Sequence, residues 1–504
     1  MNPAELFKSY QEKKEQFHKY IDKIKKNNLW DIYTIINPTL IKNPYASDFP
    51  ANYFLNKSNI QNEGLLFIKR AVVFYLKNIY LLCTYVVAFV LYKIYYSKER
   101  KNNIKTVIDV FALVDNVNSE GVFSENYLTG IYEVLEKHNT NYAILLRPYS
   151  IGKNPFKLVS FFKIINQDER DFIFEYEFLK LSDFVSLFGL ILLYPFKTLR
   201  LLQKENNIED KIFNHSLISD IKYFSFDSLT RYRLGENLSK IASLEKIYSW
   251  SEFQVIERSF NYAIRSNNKD IELIGLQFFL NYETYFNVFV DDLDYDMLSS
   301  PHRVLVNGKN YIKERKKVKY TKGVSLRYKS IFEFKGIKEE KYILLLGSYI
   351  ESDTKYMLDS VKDFGNVIFK NHPAVDISKF GILPENITVS NENIYKLFEN
   401  TKLVIGTASG TALEAVACGI SVIIISSQNN LTANPLVKYG EGKIWDIAFS
   451  KDDVKKLYNN LIKYRSENIA EIREISIWYR ENSFIEPIEE NIIRAFELDK
   501  GKEA

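Results

Sequence analysis

Residues 367–426 read VIFKNHPAVDISKFGILPENITVSNENIYKLFENTKLVIGTASGTALEAVACGISVIIIS. Four short runs in it, VIFK, ITV, LVIG and SVIII, are apolar, rich in β-branched residues and closed by a turn or polar residue, as buried parallel strands are. With KYILLLGS just upstream they make five strand candidates separated by helical stretches. That alternation predicts a parallel sheet covered by helices.

Two strand ends in this stretch have the chemistry to hold phosphate. Residues 403–406 run into a turn of Gly406, Thr407, Ala408, Ser409, Gly410 and Thr411, after which TALEAVACG starts a helix that Gly419 can cap. Small residues let the backbone approach a ligand, and a helix start offers free N–H groups and partial positive charge. A tight βα turn with Ser409 as N-cap would use the same residues. The second strand end carries His372 and Pro373. Open α/β sheets bind ligands outside the carboxyl ends of their strands, and Pro373 restricts the backbone of a His372 whose imidazole can donate to a phosphate oxygen. A lone histidine there is more often structural, but two such ends in one sheet favour a common ligand.

An earlier round of the same pattern precedes this one. TVIDVFALVD, YAILLRPYS, DFIFEYEFL and IELIGLQFFLNYE read as strands between helical segments. The chain is therefore expected to be α/β, two Rossmann-like doubly wound domains in series, over residues 106–300 and 301–504. Its 504 residues suit about three domain-sized units, and 46% apolar content supplies their cores.

Residues 1–105 differ, and are expected to be a helical extension. In AVVFYLKNIYLLCTYVVAFVLYKIYY only fifteen residues lie between Lys77 and Lys93, short of the roughly twenty that cross a bilayer. From Lys57 to Lys105 there are nine basic residues against two acidic ones. Aromatic, apolar and basic residues together suit a helix lying on an anionic membrane face, preferred here over a span. The alternative is a buried helix of an accessory subdomain. A second apolar run, FVSLFGLILLYPF, is also too short to span and is either a core helix or a second membrane-facing element.

The N-terminus is charged where a secretory signal is apolar, and the two cysteines, Cys83 and Cys418, make no disulfide framework. Both point to a cytoplasmic chain, to which the apolar, basic segment adds a peripheral place on the inner membrane surface. No long basic block interleaved with aromatics appears, so nucleic acid is not an expected partner. The net charge of +4 weighs little in a composition so rich in Lys, Asn and Ile.

His372-Pro373 with Thr407-Ala408-Ser409-Gly410-Thr411 resembles the HP and Ser/Thr elements of GT-B glycosyltransferases such as bacterial sialyltransferases and Kdo transferases. GTALEAVACGISVII is similar to the GT-B pattern that sets an acidic residue, here Glu414, at the nucleotide ribose. The order of FALVDNVNSEGVF, LNYETYF, VLVNG, GVSLRY and these elements resembles bacterial proteins of surface-carbohydrate synthesis, as for capsule or lipopolysaccharide. The resemblance implies a nucleotide-sugar donor, with CMP slightly preferred, a glycan or glycolipid acceptor, and no separate cofactor. Similar folds leave other activities open: nucleotide-sugar epimerase, polyol-phosphate transferase, or a catalytically silent scaffold of glycan assembly.

Inverting transfer needs a base for the acceptor hydroxyl. Glu120, whose Glu-Gly pair looks like the acidic element of those transferases, is the first candidate and Asp115 the second, though either could be a solvated loop carboxylate. Arg147 and, with lower weight, Arg327 could bind an anionic group. The run DDLDYD, residues 291–296, has carboxylates suited to a divalent cation. Its place near the domain junction argues against that use, and no metal is expected. The histidines at 18, 138, 215 and 302 show no zinc-ligand spacing.

Overall fold

The computed structural model describes residues 2–26, 32–33, 36, 42–44, 47–57, 63–98, 103–112, 123–125, 127–148 and 154–498. The first sheet contains β1 (Thr106–Ala112), β2 (Tyr142–Pro148), β3 (Phe172–Ile173), β4 (Lys246–Trp250), β5 (Glu272–Gln277), β6 (Arg303–Val306) and β7 (Lys319–Lys322). The second contains β8 (Tyr342–Leu346), β9 (Val367–Lys370), β10 (Ile387–Val389), β11 (Thr401–Gly406), β12 (Ser421–Ile425) and β13 (Trp445–Ala448). Spatial order is β3-β2-β1-β4-β5-β6-β7 in one and β10-β9-β8-β11-β12-β13 in the other. Every pairing is parallel. Both sheets thus reverse direction beside their first strand, at β1/β4 and at β8/β11, as doubly wound Rossmann-like domains do.

Parallel ladders need a crossover after each strand, so both faces of each sheet are covered and the strands are apolar throughout. β2 is buried at every residue. In the second sheet Leu344, Val404 and Val422 pack to one side, and Leu345, Ile405 and Ile423 to the other. The expected third strand, DFIFEYEFL, pairs only at Phe172 and Ile173; Glu175 then starts a short helix.

The domain boundary differs from the one expected at residue 300. β6 and β7 extend the first sheet beyond it, since RVLV pairs with β5 in the same register of buried residues. The division falls between Lys322 and Tyr342. The chain also returns at its end. The helix Glu489–Phe496 buries Ile492, Ala495 and Phe496 in the core of the first domain. There Tyr248 Oη donates to the Phe496 carbonyl at 2.8 Å, and Glu497 pairs with Lys246 at 2.9 Å and Arg303 at 3.0 Å.

The N-terminal segment is part of the folded body. Phe17 of the helix Pro3–Lys26 is buried among Phe49, Tyr53, Phe54 and Phe286. At the end of that helix, buried Lys25 pairs with Asp291 and Asp294, each at 2.9 Å, and Arg258 reaches Asp294 at 2.8 Å. Against a burial that would raise it, those two cations hold the Asp294 carboxyl well below its ordinary range. Asp292 accepts the N–H groups of Lys316 and Lys317 at 3.0 and 2.7 Å. The acidic run DDLDYD is thereby engaged in fastening the N-terminal helix and a loop.

Replacing Phe496, 2% exposed and ring-packed on Tyr248, tests the return of the chain. Phe496→Ala is expected to lower unfolding stability by about 3 kcal/mol, measured by urea denaturation. An unchanged midpoint would mean that the last helix adds nothing to the first domain.

Candidate functional site

At the β8/β11 switch point of the second domain lies a cavity of about 330 Å³. Its wall comes from the ends of three strands: Leu346 and Gly347 after β8, Lys370 to Pro373 after β9, and Ser409, Thr411 and Glu414 after β11. Ile394 and Tyr395 close one side, and Arg327 and Tyr328 reach in from the inter-domain connection.

The turn after β11 is shaped for close approach. Ala408 stands in the left-handed region at φ 49°, a strained conformation for a residue with a side chain. Its N–H donates to the Ala433 carbonyl at 3.2 Å, which helps to hold it there. Among the described residues, the N–H groups of Ser409, Gly410 and Thr411 have no acceptor. Successive free amides in a left- to right-handed turn form an anion-binding concavity. The helix that follows, Thr411–Ala417, is two turns long with Gly410 as an N-cap that supplies no side-chain bond. Ser409 is therefore not the cap and lines the cavity. Gly419, at φ 82°, closes the helix as the sequence suggests.

His372 is half-buried, its ring 5.9 Å from that of Tyr349. Nδ1 accepts the Ala374 N–H at 3.1 Å, which leaves the proton of a neutral imidazole on Nε2. Burial lowers its pKa, so neutral pH finds it as a neutral donor. Gly347 is required beside it, because a Cβ there would stand 2.9 Å from the backbone nitrogen of His372. Glu414 is buried and accepts the Tyr395 hydroxyl; burial raises its pKa while that bond and Arg327 act against the rise.

The sequence-predicted residues divide on this geometry. His372, Pro373, Ser409, Thr411 and Glu414 share the cavity wall. Gly406 and Thr407 lie buried behind it, and Gly410 is covered by Leu280 of the first domain, which a Cβ would approach to 3.1 Å. Lys370, Asn371 and Tyr395 are not singled out by the sequence; Asn371 adjoins His372 and Lys370 precedes it, which was the available signal. Arg327, ranked below Arg147 from sequence, is the arginine at this cavity, with its guanidinium 4.8 Å from the Tyr127 ring centroid of the first domain.

Arg147 lies elsewhere. It pairs with Glu257 at 3.2 Å and approaches Asp109 at 3.4 Å, while Arg231 donates to Asp109 at 2.6 Å. Arg147 and Arg231 line a separate cavity of about 630 Å³ with Glu175, whose carboxyl burial pushes up to about 7. Arg147, expected to bind an anionic group, is thus held in a network with Glu257 and Asp109 and is not on the wall that carries His372. A third cavity, of about 500 Å³, lies under the N-terminal helix. Size alone does not single out the smallest of the three; its convergent donors and strand ends do.

Asp115 and Glu120 fall outside the described residues. Glu125, in the same sequence region, is structural: it accepts the Leu128 N–H and the Tyr132 hydroxyl, each at 2.9 Å. A carboxylate that sequence reasoning passed over is Glu252, two residues beyond β4. Burial and the neighbouring Glu257 raise its pKa, opposed by Trp250, Arg147 and Arg327. Trp250 Nε1 donates to it at 3.4 Å, and the Trp250 ring lies 4.5 Å from that of Tyr127. Its position at a strand end was the signal.

No family model matches the chain, and no curated protein matches it. Solved structures that it resembles include the glycotransferase of kitacinnamycin, at 12% identity over 79% of this chain and 99% of that one, TM-score 0.42. The calicheamicin glycosyltransferase CalG4 matches at 10% identity over 80% and 99%, TM-score 0.42. The UDP-GlcNAc 2-epimerase of Neisseria meningitidis matches at 10% identity over 78% and 99%, also with TM-score 0.42.

The neutral imidazole gives a pH signature. A folded-state pKa below the unfolded value of about 6.5 means that the contribution of His372 is full above that pH and is lost as pH falls through the folded value. The parent chain should lose stability relative to His372→Gln between about pH 7.5 and pH 5 in urea titrations. A relative gain on acidification would contradict a buried neutral ring.

Proposed function

We propose that the protein is a nucleotide-sugar-dependent glycosyltransferase, with a CMP-sugar the first donor to test and a lipid-linked or surface glycan as acceptor, working on the cytoplasmic side of the membrane. The observation that carries this reading is the convergence of His372, the Ser409 to Thr411 turn and Glu414 on one cavity at the switch point of the second sheet. In this reading, free amides and the His372 Nε2–H hold the donor phosphate, Glu414 and Tyr395 the ribose side, and Arg327 the cleft-facing charge.

Transfer then follows a balanced course. A carboxylate of the first domain takes the acceptor hydroxyl proton, the acceptor oxygen bonds to the anomeric carbon, and the bond from that carbon to the phosphate oxygen breaks. The nucleotide leaves with the electron pair, its charge stabilised by the preorganised donors of the second domain. Glu120 and Asp115 remain proposed for the base from sequence, and Glu252 joins them on its position.

Thermal shift with CMP, CDP, UDP and GDP tests the donor site. A nucleotide at about 100 times its Kd stabilises the folded chain by about 2.7 kcal/mol. His372→Ala and Ser409→Ala should each weaken that nucleotide about tenfold or more, the loss of a bond to a charged group. No stabilisation by any of the four would refute the reading. Epimerised donor appearing without acceptor would redirect it to the epimerase class.

A further inference from the structure

The helix Glu63–Tyr95 has two unlike sides. On one, Phe74, Asn78, Leu81, Ala88 and Tyr92 are buried against the first domain, and Asn78 Nδ2 donates to the Phe74 carbonyl at 2.9 Å. On the other, Leu76, Ile79, Val87, Val90 and Ile94 are exposed, between 45% and 65%, and recur at helical spacing. The stripe continues onto the helix Leu181–Leu199, where Val185, Leu193 and Phe196 are exposed. The two helices lie together: Tyr75 Oη donates to the Leu192 carbonyl at 3.0 Å, and the Phe67 and Phe196 rings are 6.3 Å apart.

At 1.5 Å per residue the first helix extends about 50 Å, so this is a long apolar ribbon. Its charges are one-sided. Glu63 is its only acidic residue, against Lys69, Arg70, Lys77 and Lys93, of which Lys69 and Lys93 are exposed. A ribbon edged by lysines complements an anionic lipid surface, where stems lie along the apolar boundary and ammonium groups meet headgroup phosphates. Both helices are long and apolar enough to cross a bilayer, but Phe74, Leu81, Ala88 and Tyr92 of the first are packed into the body, and a crossing pose would have to give up those contacts.

We propose that these two helices dock the protein in the plane of an anionic bilayer, apolar ribbon down, with the body of both domains outside the lipid. The inference stands apart from the sugar-transfer reading and is tested separately. Cys83 lies within the exposed stripe, one turn from Ile79 and from Val87, while the other cysteine, Cys418, is buried. An environment-sensitive fluorophore on Cys83 of the full chain should shift to the blue with vesicles of phosphatidylglycerol and phosphatidylcholine, and much less with phosphatidylcholine alone. Leu76→Glu and Val87→Glu should each lower vesicle partitioning about tenfold, with circular dichroism and nucleotide-dependent stabilisation unchanged. An alkaline carbonate wash should release the bound protein. Equal binding to neutral vesicles, indifference to both variants, resistance to the wash, or a lipid-independent dimer that hides the Cys83 label would each overturn the proposal.

Discussion

Every strand in both sheets runs parallel to its neighbours, and the rest of the molecule follows from that constraint. A parallel ladder cannot close with a hairpin, so each strand needs a crossover, and crossovers of one hand put helices on both faces. All carboxyl ends then share an edge. Where strand order reverses, adjacent crossovers leave in opposite directions and open a crevice between them. In the second domain that crevice receives His372 from β9 and Ser409 from β11, residues separated in sequence but brought together by strand order.

The cleft depends on the first domain as well. Leu280 covers Gly410, the Tyr285 and Tyr349 hydroxyls meet, and Arg327 stacks near Tyr127. The chain enforces this pairing by crossing between domains after β7 and again before Glu489. The N-terminal helix adds a buried ion cluster of Lys25, Arg258 and Asp294 to the same body. Such a cluster is costly to desolvate and costly to break, so its value lies more in fixing position than in net stability.

Much of the fold was legible in local sequence. Runs such as KYILLL and LVIG carry the apolar continuity of parallel strands, and Gly419 marks a helix end through its positive φ. The boundary at residue 300 was misplaced because β6 and β7 are four residues each and β7, KYTK, has little apolar character. An edge strand is half-solvated, so composition does not announce it. Arg147 is a related case. A strand-end arginine looks the same whether its sheet carries it to the cleft or into a buried network with Asp109 and Glu257.

The sequence by itself determined the two doubly wound domains and the His-Pro and Gly/Ser/Thr strand ends. These are properties of periodicity, turn chemistry and short spacing, which act over a few residues. Only the tertiary structure decided that Arg327 rather than Arg147 lines the cavity of His372, that Glu252 is bonded to Trp250, and which side of the helix Glu63–Tyr95 is exposed. Those outcomes depend on which distant elements pack together, and long-range packing is set by the whole core rather than by any one stretch of the chain.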